Sequence, residues 1–152
     1  MKNLLLLLLI LFSFYGFSQT KKEKEMQKMY LSFLKSEGFK GEVDDAYGNI
    51  KFKSEGDLFY ISVNDDELFF QIYRYLGNET EGCSRKVKKI INETCFAYKS
   101  LTVKTVGDDC DLIKFSSSSL LGNKNYFKSI FYRSLKIMKL GENRVIELYN
   151  EE

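Results

Sequence analysis

Between residues 41 and 75, apolar and polar positions alternate in short runs separated by turn-forming residues. Ile50-Lys51-Phe52-Lys53 has the period of a strand with one buried face. Ser54-Glu55-Gly56-Asp57 breaks that period at a glycine able to take positive φ. Phe59, Ile61 and Val63 then alternate with Leu58, Tyr60 and Ser62. Asn64-Asp65-Asp66-Glu67 follows, a cluster whose short side chains hydrogen-bond local backbone. A further run over 68–75 sets Phe70 and Ile72 on one face. Connections this short predict antiparallel neighbours, a meander. Ala46-Tyr47-Gly48-Asn49 reads as another turn, with a short strand before it at 42–44.

Helical periodicity flanks the meander. Met26, Met29, Tyr30, Phe33 and Leu34 form one stripe of a helix over 23–37, stopped at Gly38. A second helix, about 83–96, turns Val87, Ile90, Ile91 and Thr94 inward. Alternation returns over 99–105, where Leu101 and Val103 share a face. A turn at 107–110 leads to a strand over 111–117, with Ile113 and Phe115 inward. The serine run 116–119 reads as a strand end and exposed loop. Phe127, Ile130, Phe131, Leu135 and Met138 stripe a third helix, 123–140, which Gly141 is expected to stop. The tail 142–152 reads as docked, as a last helical turn or a strand. The order α-β-β-β-α-β-β-α predicts an α+β fold, with helices packed on an antiparallel sheet of about five strands.

The first residues carry an address. Lys2 is a basic n-region, 4–14 an apolar h-region, and Gly16 and Ser18 the small residues of a cleavage site before Gln19. The apolar stretch is shorter than the about 20 residues a spanning helix needs. Residues 1–18 are therefore expected to be a cleaved signal peptide, and 19–152 a single domain with no stable membrane anchor. The leucine run and the Phe-Ser-Gln boundary resemble Bacteroidetes export signals, which implies a periplasmic or secreted bacterial protein. Removing the leader takes away Lys2 and lowers the net charge from +2 by one. So balanced a chain has no electrostatic case for nucleic acid.

Composition narrows the chemistry further. The sequence contains 0 histidines, which excludes Ser-His-Asp and Cys-His catalysis, histidine metal ligands and histidine proton transfer. No catalytic residue, cofactor or metal is expected. The acidic groups Asp44-Asp45, Asp65-Asp66-Glu67 and Asp108-Asp109-x-Asp111 lack EF-hand spacing and sit at turns, where aspartate serves the backbone. The basic run Arg85 to Lys89 reads as one exposed helix face.

The 3 cysteines allow one disulfide and one free thiol in an exported chain. Twelve helical residues from Cys83 cover about 18 Å. The eight-residue strand that follows runs back about 26 Å. This returns Cys110 to the neighbourhood of Cys83, the expected bridge, and leaves Cys95 at the far end. Three separate thiols are the alternative.

The 13 Phe and 10 Tyr divide between two faces. Most Phe fall inward. Leu58, Tyr60, Phe69, Tyr73 and Tyr75 fall on the other face of the meander, as a helix-covered layer or a partner-binding surface.

Several motifs resemble a known family. Phe33-Leu34 followed by Gly38-Phe39, Asp45 with Gly48-Asn49-Ile50, Phe52 and Gly56, and the 88–92 segment followed by Ala97-Tyr98-Lys99 resemble YbjN-type proteins, whose fold is that of type III secretion chaperones. The resemblance spans about residues 26–140. It implies a non-enzymatic, chaperone-like binding or regulatory protein, often a homodimer, that engages a protein or peptide. It carries over no functional residue. The alternative from another class is a carrier holding a small hydrophobic ligand between sheet and helices, lined by Phe52, Phe59, Ile61 and Phe70.

Overall fold

The first helix, α1 (Lys21–Ser36), is fixed by its two ends. Glu23 N–H donates to Thr20 Oγ1 at 3.1 Å, and Thr20 N–H donates to Glu23 Oε2 at 2.7 Å. This reciprocal pair is a capping box. At the far end Gly38 adopts φ +84°. Phe39 N–H reaches back to the Leu34 carbonyl at 2.8 Å and Gly38 N–H to that of Lys35 at 3.2 Å, the Schellman closure.

The computed structural model describes residues 20–66, 68–77, 83–121 and 126–151. The expected leader, its cleavage point at Gln19, and Glu67 lie outside the described residues. After α1 come β1 (Gly41–Val43), β2 (Ile50–Ser54), β3 (Asp57–Ile61), β4 (Phe69–Gly77), α2 (Arg85–Ala97), β5 (Leu101–Val106), β6 (Leu112–Leu120) and α3 (Phe127–Asn150). The architecture is α+β. The six strands form one antiparallel sheet in the order β1-β2-β3-β4-β6-β5. The count is six rather than about five because the short run at 41–43 pairs with β2. The β2–β3 hairpin turns on Glu55 at φ 52° and Gly56 at φ 91°, two positive values in a row, which match the twist of the flanking strands.

Two element ends differ from expectation. The serine run is not a loop. Ser116 to Ser119 lie within β6, between β4 and β5. Ser117 faces α3, where a small side chain lets the helix cross and its Oγ meets Ser134 Oγ at 3.1 Å, while Ser116 and Ser118 lie on the opposite face beside Tyr73 and Gln71. Gly141 does not stop α3, which runs on through the expected tail to Asn150. A Cβ on Gly141 would meet Leu101 Cδ2 and lie 3.7 Å from Thr94 Cγ2. Here glycine permits a close approach to β5 and α2, and that outweighs its poor helix propensity.

All three helices pack on one face of the sheet. Ile50, Phe52, Phe59, Ile61, Phe70, Ile72, Ile113 and Phe115 project from the strands into that layer and are buried. Rings from the helices close over them. Phe131 lies 5.6 Å from Phe52, and Phe127 lies 5.1 Å from Phe70. Phe52, Phe59, Ile61 and Phe70, which the carrier reading needs as pocket walls, are each 4% exposed or less. All four are core side chains, each worth about 1.5–3 kcal/mol in burial, and Phe59 also reaches a groove between the sheet and α3.

A buried ion pair sits in this layer. Arg74 of β4 is 6% exposed. Its Nη1 lies 2.7 Å from Glu142 Oε2 on α3 and 2.8 Å from Asp57 Oδ2 on β3. Lys139 Nζ completes the group at 3.2 Å from Asp57 Oδ2. The network pins the middle of α3 to the middle of the sheet.

Cys83 and Cys110 are joined by a disulfide with Cα atoms 5.2 Å apart, tying the start of α2 to the β5–β6 turn. Cys95 is a free thiol. Its Sγ accepts from Val103 N–H at 3.2 Å and donates to the Val103 carbonyl at 3.6 Å, along the outer side of β5.

Candidate functional site

Strand alternation that sends Phe52, Phe59 and Phe70 inward sends their neighbours to the opposite face. Among the described residues no helix covers that face. Tyr60 and Tyr73 are directly paired across β3 and β4. Their rings stack with centroids 5.2 Å apart at 9°. Tyr75 meets both edge-on, at 6.1 Å from Tyr60 and 5.6 Å from Tyr73. On the other side of Tyr73, Lys114 Nζ of β6 sits 4.1 Å from the ring centroid, a cation–π contact. Tyr73 is thus held between a stacked ring and an ammonium group.

Asn49 locks this cluster to the backbone. Its Nδ2 donates to Tyr73 Oη at 3.0 Å, and its Oδ1 accepts from Val63 N–H at 3.0 Å. Burial pushes the Tyr73 phenol up to about 12, helped by Tyr75, Asp44 and Tyr60 and opposed by the Asn49 hydrogen bond. Burial also raises Tyr75, with Tyr60 and Tyr47 adding to it. Both phenols are neutral at physiological pH. Desolvation lowers the Lys114 ammonium, and the like charge of Lys104 lowers it further.

Of the five residues read from the sequence, Tyr60, Tyr73 and Tyr75 form one cluster. Leu58, 39% exposed, extends it along β3. Phe69 does not join it. It lies four residues along β4 from Tyr73, about 13 Å away, opposite the exposed Leu120. Sequence reading missed Lys114, Lys104 and Asn49. The alternation of β5 and β6 places both lysines outward, so the signal was present, but the strand order that sets β6 beside β4 is not.

Other surfaces carry less. A groove of about 660 Å³ lies beside the N-terminus of α1 and the β1–β2 turn. Another of about 540 Å³ runs between Phe39, the β2–β3 turn and Lys139 of α3. Two of the acidic turns bind their own backbone. Asp44 Oδ1 accepts from Ala46 N–H at 3.1 Å, and Asp66 Oδ1 accepts from Leu68 N–H at 2.9 Å. Among the described residues no three His, Cys, Asp or Glu side chains are grouped to hold a metal ion, and no helix is long and apolar enough to cross a membrane. Lys86 of the basic run turns back to α3, donating to the Tyr149 carbonyl at 3.1 Å.

No protein-family model matches the chain, and no curated protein does. A crystal structure of an uncharacterized protein from Methanothermobacter thermautotrophicus is similar at 13% identity and a TM-score of 0.44, covering 78% of this chain and 98% of that one.

Proposed function

We propose that the protein is an exported, non-catalytic, chaperone-like binding protein that engages a protein or peptide through the tyrosine face of its sheet. The observation that carries this reading is the one-sided architecture. Three helices cover one face, and the other presents aromatic side chains held rigid by stacking, with Tyr75 at 37% and Leu58 at 39% exposure. Ordered tyrosines lose little entropy on binding, and aromatics are enriched in interface cores. The leader pattern, the resemblance to YbjN-type proteins and the absence of histidine support it. The Cys83–Cys110 bridge suits an oxidising compartment.

The test is affinity capture from the envelope fraction of the source organism, using protein from Gln19 onward, with light scattering to read whether it is a homodimer. Tyr60→Ala combined with Tyr73→Ala is expected to lose the captured partner. Tyr73 is nearly buried, so Leu58→Ser with Tyr75→Ser, both at exposed positions, is the companion variant that keeps the fold. Capture unchanged by both pairs would refute the reading.

A further inference from the structure

We infer that the segment bound on the tyrosine face is an acidic, extended peptide laid across the strands, its carboxylates meeting lysines at both ends of one row of side chains. The inference rests on the binding reading above and names the partner's chemistry.

The row follows from strand register. Lys53 pairs with Leu58 across β2 and β3, Tyr75 with Lys114 across β4 and β6, and Lys114 with Lys104 across β6 and β5. The Tyr60–Tyr73 pairing sets Leu58 opposite Tyr75. The outward row therefore reads Lys53, Leu58, Tyr75, Lys114, Lys104, with an apolar centre and cations at both ends. Four interstrand steps span about 19 Å, which about six residues of extended peptide match.

Among the described residues these lysines have no carboxylate partner. Like charges directly opposite one another destabilise an antiparallel pair, yet Lys104 and Lys114 are so placed. Among the described residues neither they nor Lys53 forms an ion pair. The outward acid on a strand, Glu42, is taken by Lys51 at 3.4 Å. Lys114 is moreover fixed in place over Tyr73 and Tyr75, at 4.1 and 5.8 Å from the ring centroids, rather than free to swing into solvent. A ligand with carboxylates at the ends and apolar groups between them relieves the repulsion and covers Leu58 and Tyr75. Tyr73 has a ring neighbour in Tyr60 and an ammonium over it in Lys114, so it offers no free platform for a sugar or base.

The probe is a fluorescein-labelled peptide, Asp-Glu-Leu-Ser-Tyr-Leu-Glu-Asp, read by anisotropy against protein from Gln19 onward. Its controls carry Asn and Gln, or Lys, at the acidic positions. We expect the acidic peptide to bind at least tenfold more tightly than the neutral one, and to weaken as salt rises. Lys104→Glu with Lys114→Glu, with circular dichroism to check the fold because it gives up the Lys114 cation–π contact, should abolish the preference for the acidic peptide. Equal binding of acidic and neutral peptides, lost in the Leu58→Ser/Tyr75→Ser protein, would overturn the acidic inference and leave the binding face standing. Loss of nothing in either variant would overturn both. Binding of polygalacturonate without the peptide would overturn the inference in favour of an acidic polysaccharide.

Discussion

Removing one member of the Arg74–Glu142 pair should damage the protein more than removing both. The two side chains are 7% and 9% exposed. Breaking a buried pair leaves an uncompensated charge and costs about 3–5 kcal/mol, whereas replacing the whole pair by apolar groups is often neutral or stabilising. The neighbours here soften the first figure. After Glu142→Leu, Arg74 keeps Asp57 at 2.8 Å, and the expected cost is about 2–3 kcal/mol. After Arg74→Met, Asp57 keeps Lys139 at 3.2 Å, but Glu142 keeps it at 4.0 Å, and the cost should be about 3–4 kcal/mol. A domain of this size is stable by about 5–15 kcal/mol, so either change removes a large share. The double substitution should fall within about 1 kcal/mol of wild type, a coupling of roughly 5–7 kcal/mol that only groups in one network show. Urea unfolding followed by far-UV circular dichroism gives all four corners of the cycle. Tyrosine fluorescence is the second probe, since the chain has 0 Trp. Costs that simply add in the double variant would refute the argument, and would mean that the residues act through packing.

Two further predictions concern protons and sulfur. Burial pushes the Asp57 carboxyl up, but hydrogen bonds from Lys139 and Arg74 and their charges outweigh it and hold the group below the ordinary carboxylate value. A lowered folded value means that the stabilisation is present above the unfolded pKa of about 3.9 and is lost as pH falls through the folded one. Asp57→Asn should therefore flatten the fall of the urea midpoint below about pH 4, and an unchanged slope would count against the network. In unreduced, denatured protein, alkylation and mass measurement should find a single reactive thiol, Cys95. Opening the Cys83–Cys110 bridge, which spans 27 residues, should cost about 3–4 kcal/mol by loop entropy. Three reactive thiols without reductant would remove the bridge.

The fold was legible wherever burial repeats with a fixed period. Ile50, Phe52, Phe59 and Ile61 mark inner faces by alternation alone, and the stripe from Met26 to Leu34 marks α1. Gly141 and the serine run misled because their reasons are tertiary. Gly141 lets α3 approach Leu101, and Ser117 lets it cross β6. A local rule reads glycine as a stop and serine as a loop, with no view of the neighbour that needs a small side chain. The site was half legible for the same reason. Tyr60, Tyr73 and Tyr75 follow from meander alternation, since β3 and β4 are consecutive. Lys114 enters the cluster because β6, far along the chain, inserts between β4 and β5, and no local spacing records that insertion.

Cys95 decides how the sheet can grow. Along β5 the Leu101 N–H is taken by the Tyr98 carbonyl at 2.8 Å and the Val103 N–H by the thiol. A strand arriving from a second copy would have to displace both before it could form a ladder. At the other border β1 offers three residues, too few to template an addition. The molecule is in effect a chain terminator for strand polymerisation.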